Sequence, residues 1–201
     1  MAGPIHFNSR SKEKLNRSLS NFFPCVLMVN GQPTLTTVEH EYQAQKFELA
    51  FHDPAYAAHI RSIPVNHPEQ AKHAGGQGGW ITSKHGSIMI GGKTPCGRTV
   101  SNVGRRPPSK QALKDYYNTT ISKHWINKSV PTMMVLLSEK FDRRFNEELA
   151  VTLMQTGNRP LHEIGRGHGF WIKSGGDMLG KLLTKQREDL NRRREVIVID
   201  D

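Results

Sequence analysis

The sequence predicts a single compact α+β domain, mainly helical, with a long basic glycine-rich insertion. Three observations carry that expectation: a hairpin signal near the N-terminus, three stretches of helical periodicity, and a block from about 74 to 114 with almost no apolar rhythm. The chain has 201 residues, 36% of them hydrophobic. That is long enough to bury one core without disulfides or a structural metal.

Residues 1–18 read as a basic N-terminal arm, with Arg10, Lys12, Lys14 and Arg17 and no apolar run of signal-segment length. The domain is expected over 19–194. It opens on Leu19-Ser20-Asn21-Phe22-Phe23-Pro24 and a short strand, Val26 to Val29, closed by Asn30-Gly31. Such a pair favours a two-residue hairpin turn. Thr36 or Thr37 can then cap a helix from Val38 to Ala50. On that helix Glu39, Tyr42, Gln43 and Lys46 fall at i, i+3, i+4 and i+7 and share one side, with Ala44, Phe47 and Phe51 forming the apolar stripe beside it.

Between Ala74 and Ser109 stand nine of the 18 glycines, with Pro95, Pro107 and Pro108, and Trp80 falls in the same stretch. It reads as an irregular loop, since uninterrupted loops of this length are usually functional or disordered. Beyond it Pro131 can start a second helix, just after Trp125, that carries Leu137, Phe141, Phe145, Leu149 and Leu153 in four-residue steps and closes at Thr156-Gly157. A third helix is expected from Met178 to about Arg194, burying Leu179, Leu182, Leu183 and Leu190. Its arginine-rich end suits the negative pole of the helix dipole. Residues 195–201 read as a C-terminal tail in which Val196–Ile199 forms an edge strand or stays loose.

Charge narrows the function classes. The net charge is +10, and from Gln70 to Ser138 ten lysines and arginines face the single acid Asp115. A basic concentration of this kind predicts phosphate-bearing partners, nucleic acid above all, bound through segment 70–138, in preference to a charge that serves solubility alone. No apolar run approaches the roughly 20 residues of a membrane helix, so no membrane partner is expected. Cys25 and Cys96 are too few for a disulfide framework and have no C-x-x-C spacing, which points to a reducing, cytoplasmic setting.

Two apparent motifs fail. Gly92-Lys93-Thr94 resembles the end of a phosphate-binding loop, but Ser87 stands where that pattern needs glycine and Pro95 obstructs the following helix. The ten histidines include no tight ligand cluster and read as scattered surface residues rather than a metal site; no cofactor is expected. Cys25, between Pro24 and Val26, suits a buried structural thiol better than a Cys-His nucleophile. The face at Glu39 differs from an ordinary solvated surface because Tyr42 and Gln43 lie between a carboxylate and an amine, a set suited to holding a ligand.

Here the sequence resembles the NADAR family. Leu19 to Pro24, Thr37-Val38-Glu39-His40 and Tyr42-Gln43-Ala44-Gln45-Lys46-Phe47 follow its signature in order. Shorter pieces agree: Ala71-Lys72 with Gly75, Lys140-Phe141, Leu153 with Thr156-Gly157, Glu163, Phe170-Trp171, and Leu179-Gly180-Lys181-Leu182-Leu183 with Arg187. The resemblance covers most of 19–190. It implies a compact, mainly helical α+β domain that hydrolyses N-glycosidic bonds without metal, since known members act on phosphoribosylamino-pyrimidine intermediates of riboflavin synthesis or remove ADP-ribose from guanine in DNA.

Cleavage of such a bond passes through an oxocarbenium-like state and gains from a carboxylate and from proton delivery to the departing nitrogen. By the resemblance Glu39 is that acid/base or stabilising group. Lys46 is the second catalytic candidate: as an amine it can attack the anomeric carbon, while phosphate binding and a plain salt bridge are its other roles. The same likeness puts Asn21, Phe22, His40, Tyr42, Gln43 and Gly180 around the substrate, with Trp125 and Trp171 at family tryptophan positions where an indole can stack on a base.

Two departures inform the substrate. After Phe170-Trp171 the family continues with glycine and an aspartate, whereas this chain reads Ile172-Lys173-Ser174-Gly175-Gly176, and Asp177 replaces the asparagine before the Leu-Gly pair. Lys173 in place of an acid favours a more anionic ligand. The basic insertion is also longer than in relatives, and a base within DNA offers phosphates on both sides. The expected substrate is therefore an ADP-ribosylated nucleobase, probed as ADP-ribosyl-guanine in nucleic acid. The alternatives are a phosphoribosylamino-pyrimidine, or a non-catalytic module that binds ADP-ribose or nucleic acid.

Overall fold

The computed structural model describes residues 3–83, 109–164 and 177–199. The architecture is α+β and mainly helical, as the sequence predicts. By compactness the chain divides into two units, Met1–Val38 with Met134–Asp201, and Glu39–Met133.

In the first unit β1 (Ile5–Phe7), α1 (Lys14–Ser18), β2 (Pro24–Val29) and β3 (Gln32–Thr37) come first in the chain. The predicted hairpin is present: β2 and β3 pair antiparallel from Val29↔Gln32 to Pro24↔Thr37. Asn30 and Gly31 take φ of 51° and 77°, the left-handed pair that a two-residue turn of matching twist requires. The β2 edge of the hairpin is occupied, and the β3 edge lacks one donor. On the β2 side, Asn146 accepts from the Val26 N–H and donates to its carbonyl, both at 2.8 Å, and the Glu139 carboxylate accepts from the Met28 N–H at 3.0 Å. On the β3 side Pro33 has no N–H to offer.

Later in the chain this unit contains α8 (Arg143–Gln155), capped by the Asp142 carboxylate on the Arg144 N–H, then β4 (Leu161–Glu163) and α9 (Met178–Ile199). β4 pairs in parallel with β1, Ile5 against Leu161. A Cβ on Gly180 would fall 2.1 Å from the Leu161 carbonyl oxygen, so glycine is what lets α9 lie against β4. The Lys140 amine is fully buried and donates to the Ser20 carbonyl at 2.6 Å, and burial pulls it down to about 8. Burial pushes the Cys25 thiol up to about 11, with the Lys140 charge opposing, which agrees with a structural thiol.

The second unit contains α2 (Val38–Lys46), which runs into a π-helical turn, Phe47–Phe51, ended by His52 at φ 53°. It continues with α3 (Pro54–Arg61), α4 (Pro68–Gly75), α5 (Gln77–Thr82), α6 (Lys110–Thr120), a second π turn Ile121–Trp125 and the start of α7 (Ile126–Lys140). Asp53 caps α3 by accepting from the Tyr56 N–H at 2.9 Å. From the end of α3 the Arg61 guanidinium grips Glu41 at 2.8 Å and Glu48 at 2.9 Å, tying α3 to α2 and the turn after it. Phe47, Phe51, Tyr56, Trp80 and Tyr117 stack into the core, with Phe47 and Tyr56 edge to face at 4.5 Å.

The structure corrects four sequence expectations. Helix continues into the glycine-rich block as α4 and α5, where Trp80 is buried and a Cβ on Gly79 would meet the His73 carbonyl at 2.1 Å. These glycines serve close packing rather than a loop, and the rest of that block, 84–108, lies outside the described residues. Pro131 sits inside α7 rather than opening it. The helix expected to run on past Phe141 breaks there, and Phe145 is 40% exposed. The tail is helical through Ile199, because no glycine or proline follows Arg194 to stop α9. Among the described residues no helix is long and apolar enough to cross a membrane.

Candidate active site

The polar face of α2 folds into the interior of the second unit. Glu39, Gln43 and Lys46 are each more than nine-tenths buried. Their spacing stacks them along one side of the helix, and the side chains join in a row. Gln43 Nε2 donates to Glu39 Oε1 at 2.8 Å, and Gln43 Oε1 accepts from Lys46 Nζ at 2.5 Å. The amide therefore holds acid and amine apart while bonding to both. Glu39 Oε2 accepts no hydrogen bond from the described residues.

Lys46 has two further acceptors. One is the Gly75 carbonyl at the end of α4, the other the Tyr117 hydroxyl of α6 at 3.3 Å, which itself donates to Gly75 at 2.6 Å. The faces of Phe47 and Tyr117 lie 5.4 and 5.8 Å from the amine. Burial opposes charge on both working groups. It pulls Lys46 down to about 7 against the attraction of Glu39, and it raises Glu39 above the usual carboxylate range against the Gln43 hydrogen bond and the charges of Lys72 and Lys46. Near neutral pH Lys46 can therefore hold or release a proton.

Tyr42 and Trp125 meet edge to face at 5.2 Å, 63° between planes, next along the same face of α2. His40 is buried against the backbone of Ile63 and Pro64, and burial holds its imidazole below the ordinary range. Among the described residues no group of three or more His, Cys, Asp or Glu side chains is arranged to hold a metal ion.

The solved structure of the E. coli protein YbiA matches 96% of this chain and 89% of its own, with a TM-score of 0.53 and 22% sequence identity. The fold is of the NADAR type. No protein-family model and no curated protein matches the chain.

Within this NADAR-type fold the sequence-predicted residues divide into three groups. Glu39, Gln43 and Lys46 are brought into direct contact, with Tyr42 and Trp125 paired on the same unit. His40 belongs to that unit but spends its ring on the Ile63–Pro64 backbone. Asn21, Phe22 and Gly180 belong to the first unit, the first two half-buried in the turn after Ser20 and Gly180 packed on β4. Trp171 and the loop that follows it lie outside the described residues. Sequence reasoning missed Tyr117: its one signal is that Leu113, Tyr117 and Thr120 recur at helical spacing, which marks a buried stripe and no chemistry.

Proposed function

We propose that the protein is an N-glycosidase that hydrolyses the bond between a ribosyl or ADP-ribosyl group and a nucleobase, with ADP-ribosyl-guanine in nucleic acid as the substrate. The observation that carries this reading is the buried Glu39–Gln43–Lys46 row, in which the acid is raised and the amine pulled to about 7. The NADAR-type fold supports the reaction class.

Glu39, protonated, delivers its proton to the base nitrogen as the bond from C1′ to that nitrogen breaks and its electron pair leaves with the base. Lys46 is divided between ammonium and amine near neutral pH. As amine it forms a bond to C1′; the ribosyl adduct opens to an imine, and water then hydrolyses it to free sugar and free amine. To attack, Lys46 has to give up one of its three acceptors. In the alternative route water adds to C1′ directly, and Glu39 acts alone. Borohydride separates the two by trapping a covalent sugar on Lys46 only in the first.

The basic segment supports the choice of nucleic acid. Of its described members Lys72, Lys110, Lys123 and Lys128 are exposed. Purified protein is incubated with an oligonucleotide bearing ADP-ribosyl-guanine and, separately, with a phosphoribosylamino-pyrimidine, and products are followed by mass spectrometry. Release of ADP-ribose, with binding that weakens steeply as salt rises, is the expected result. Turnover of the small substrate alone would move the assignment to riboflavin-type intermediates, and binding without product would make the protein a recognition module.

A further inference from the structure

Lys46 is the end of the polar row, yet two of its three partners come from outside α2. The Gly75 carbonyl is the terminal acceptor of α4, and the Tyr117 hydroxyl belongs to α6. An ammonium has three N–H donors and no acceptor, so three acceptors in contact with one Nζ match that form in full. The Gly75 carbonyl is shared, accepting from both Lys46 and Tyr117, and the Gln43 oxygen belongs to an amide whose nitrogen holds Glu39. The Tyr117 oxygen differs in kind. Its own proton is committed to Gly75 at 2.6 Å, which turns its lone pair toward Lys46.

We propose that Tyr117 is a positioning residue for Lys46, whose hydroxyl, anchored on the Gly75 carbonyl, supplies the third acceptor that holds Nζ in place in a buried site. The inference rests on the reading of Lys46 as a working amine. The charged and titratable groups facing Lys46 are Glu39 through Gln43, Lys72 beyond Glu39, and Tyr117, with Tyr42 and Tyr56 next to Tyr117. The Glu39 charge favours the ammonium, as do hydrogen bonds to the Gln43, Gly75 and Tyr117 oxygens, and burial acts against it. Burial also keeps the Tyr117 phenol protonated well above neutral pH, so its hydroxyl stays a fixed dipole while Lys46 titrates.

The test is a direct titration of Lys46 by NMR of its side-chain nitrogen in the wild-type chain, in Tyr117→Phe and in Tyr116→Phe. Tyr116 is the control because it stacks on Trp80 and makes no bond to Lys46. Loss of a hydrogen bond to a charged group should lower the Lys46 midpoint by about one pH unit in Tyr117→Phe, and Tyr116→Phe should leave it in place. In an activity assay the limb of the pH profile set by Lys46 should move down with it, kcat falling about tenfold while KM stays within about twofold, as expected when a group is aimed less well. An unchanged Lys46 midpoint in folded Tyr117→Phe would overturn the proposal. Should that variant not fold, the wild-type protein carries the same test: the Tyr117 ring carbon bearing oxygen should follow the Lys46 titration, and its indifference would overturn the proposal. The titration needs no substrate. A shifted midpoint in a protein that cleaves nothing would retain Tyr117's role and remove the glycosidase reading.

Discussion

Gln43 lies so close over Gly75 that a Cβ on the glycine would fall 2.1 Å from Gln43 Oε1. The glycine therefore leaves room for the amide that links Glu39 to Lys46, and its carbonyl accepts from Lys46 itself. Gly75→Ala should push Gln43 aside and cut the row at its middle. The expected cost is at least about 100-fold in turnover and about 1–3 kcal/mol of stability, read from initial rates and a urea melt of the same sample.

Lys46 should leave a signature in the pH dependence of stability. Its folded value of about 7 lies below its ordinary 10.5, so between those two values the unfolded chain holds a proton that the folded chain has lost. Stability contributed through this group thus rises with pH across that window. Glu39 works the other way at lower pH, because its folded value is raised and the folded chain keeps its proton longer than the unfolded chain. Lys46→Met should remove a slope of at most about 1.4 kcal/mol per pH unit between pH 7 and 10. The smaller rise from Lys140, which sits at about 8, should remain in the mutant. Urea melts at several pH values measure both.

Asn146 takes a non-helical backbone inside α8, φ −138° and ψ 50°, and from there fills the hydrogen-bonding edge of β2. Asn146→Ala should strand the Val26 N–H and carbonyl together, at a cost of about 2 kcal/mol. Asn146→Asp should restore the bond from the N–H and lose the donor to the carbonyl, recovering part of that stability. The order wild type, Asp, Ala in thermal melts checks the account.

The parts of the fold that were legible in the sequence are those where local chemistry and packing agree. Asn30-Gly31 can hardly do anything but turn a hairpin, and the i, i+3, i+4, i+7 spacing of Glu39, Tyr42, Gln43 and Lys46 follows from helix geometry alone. The errors came where one residue type serves two purposes. Gly79 reads as a loop glycine but permits close approach to the His73 carbonyl, and Pro131 reads as a helix start but is exposed within α7. The sequence marks the face at Glu39 as suited to a ligand, but its burial depends on tertiary packing of α4 and α6 that spacing does not show. For the same reason Tyr117, 71 residues away from Lys46, could not be found by spacing.

Cys25 should be silent toward alkylating reagents in the native protein, since its thiol is buried and pushed up to about 11. Peptide mapping by mass spectrometry after iodoacetamide treatment should find Cys25 unmodified in the folded chain and modified in urea. Rapid native labelling at Cys25 would contradict the packing of β2 described above.

In the proposed mechanism Glu39 delivers the proton that releases the base. Its Oε1 already accepts from Gln43, and a glutamine at 39 can accept the same bond, so Glu39→Gln should fold as the wild type does. The decisive measurement is single-turnover release of ADP-ribose from an oligonucleotide carrying ADP-ribosyl-guanine, wild type against Glu39→Gln, with matched thermal melts. The wild type should release ADP-ribose, and the variant should do so about 100- to 10,000-fold more slowly. Equal rates from two folded proteins would remove Glu39 from the mechanism and contradict the reading of this site.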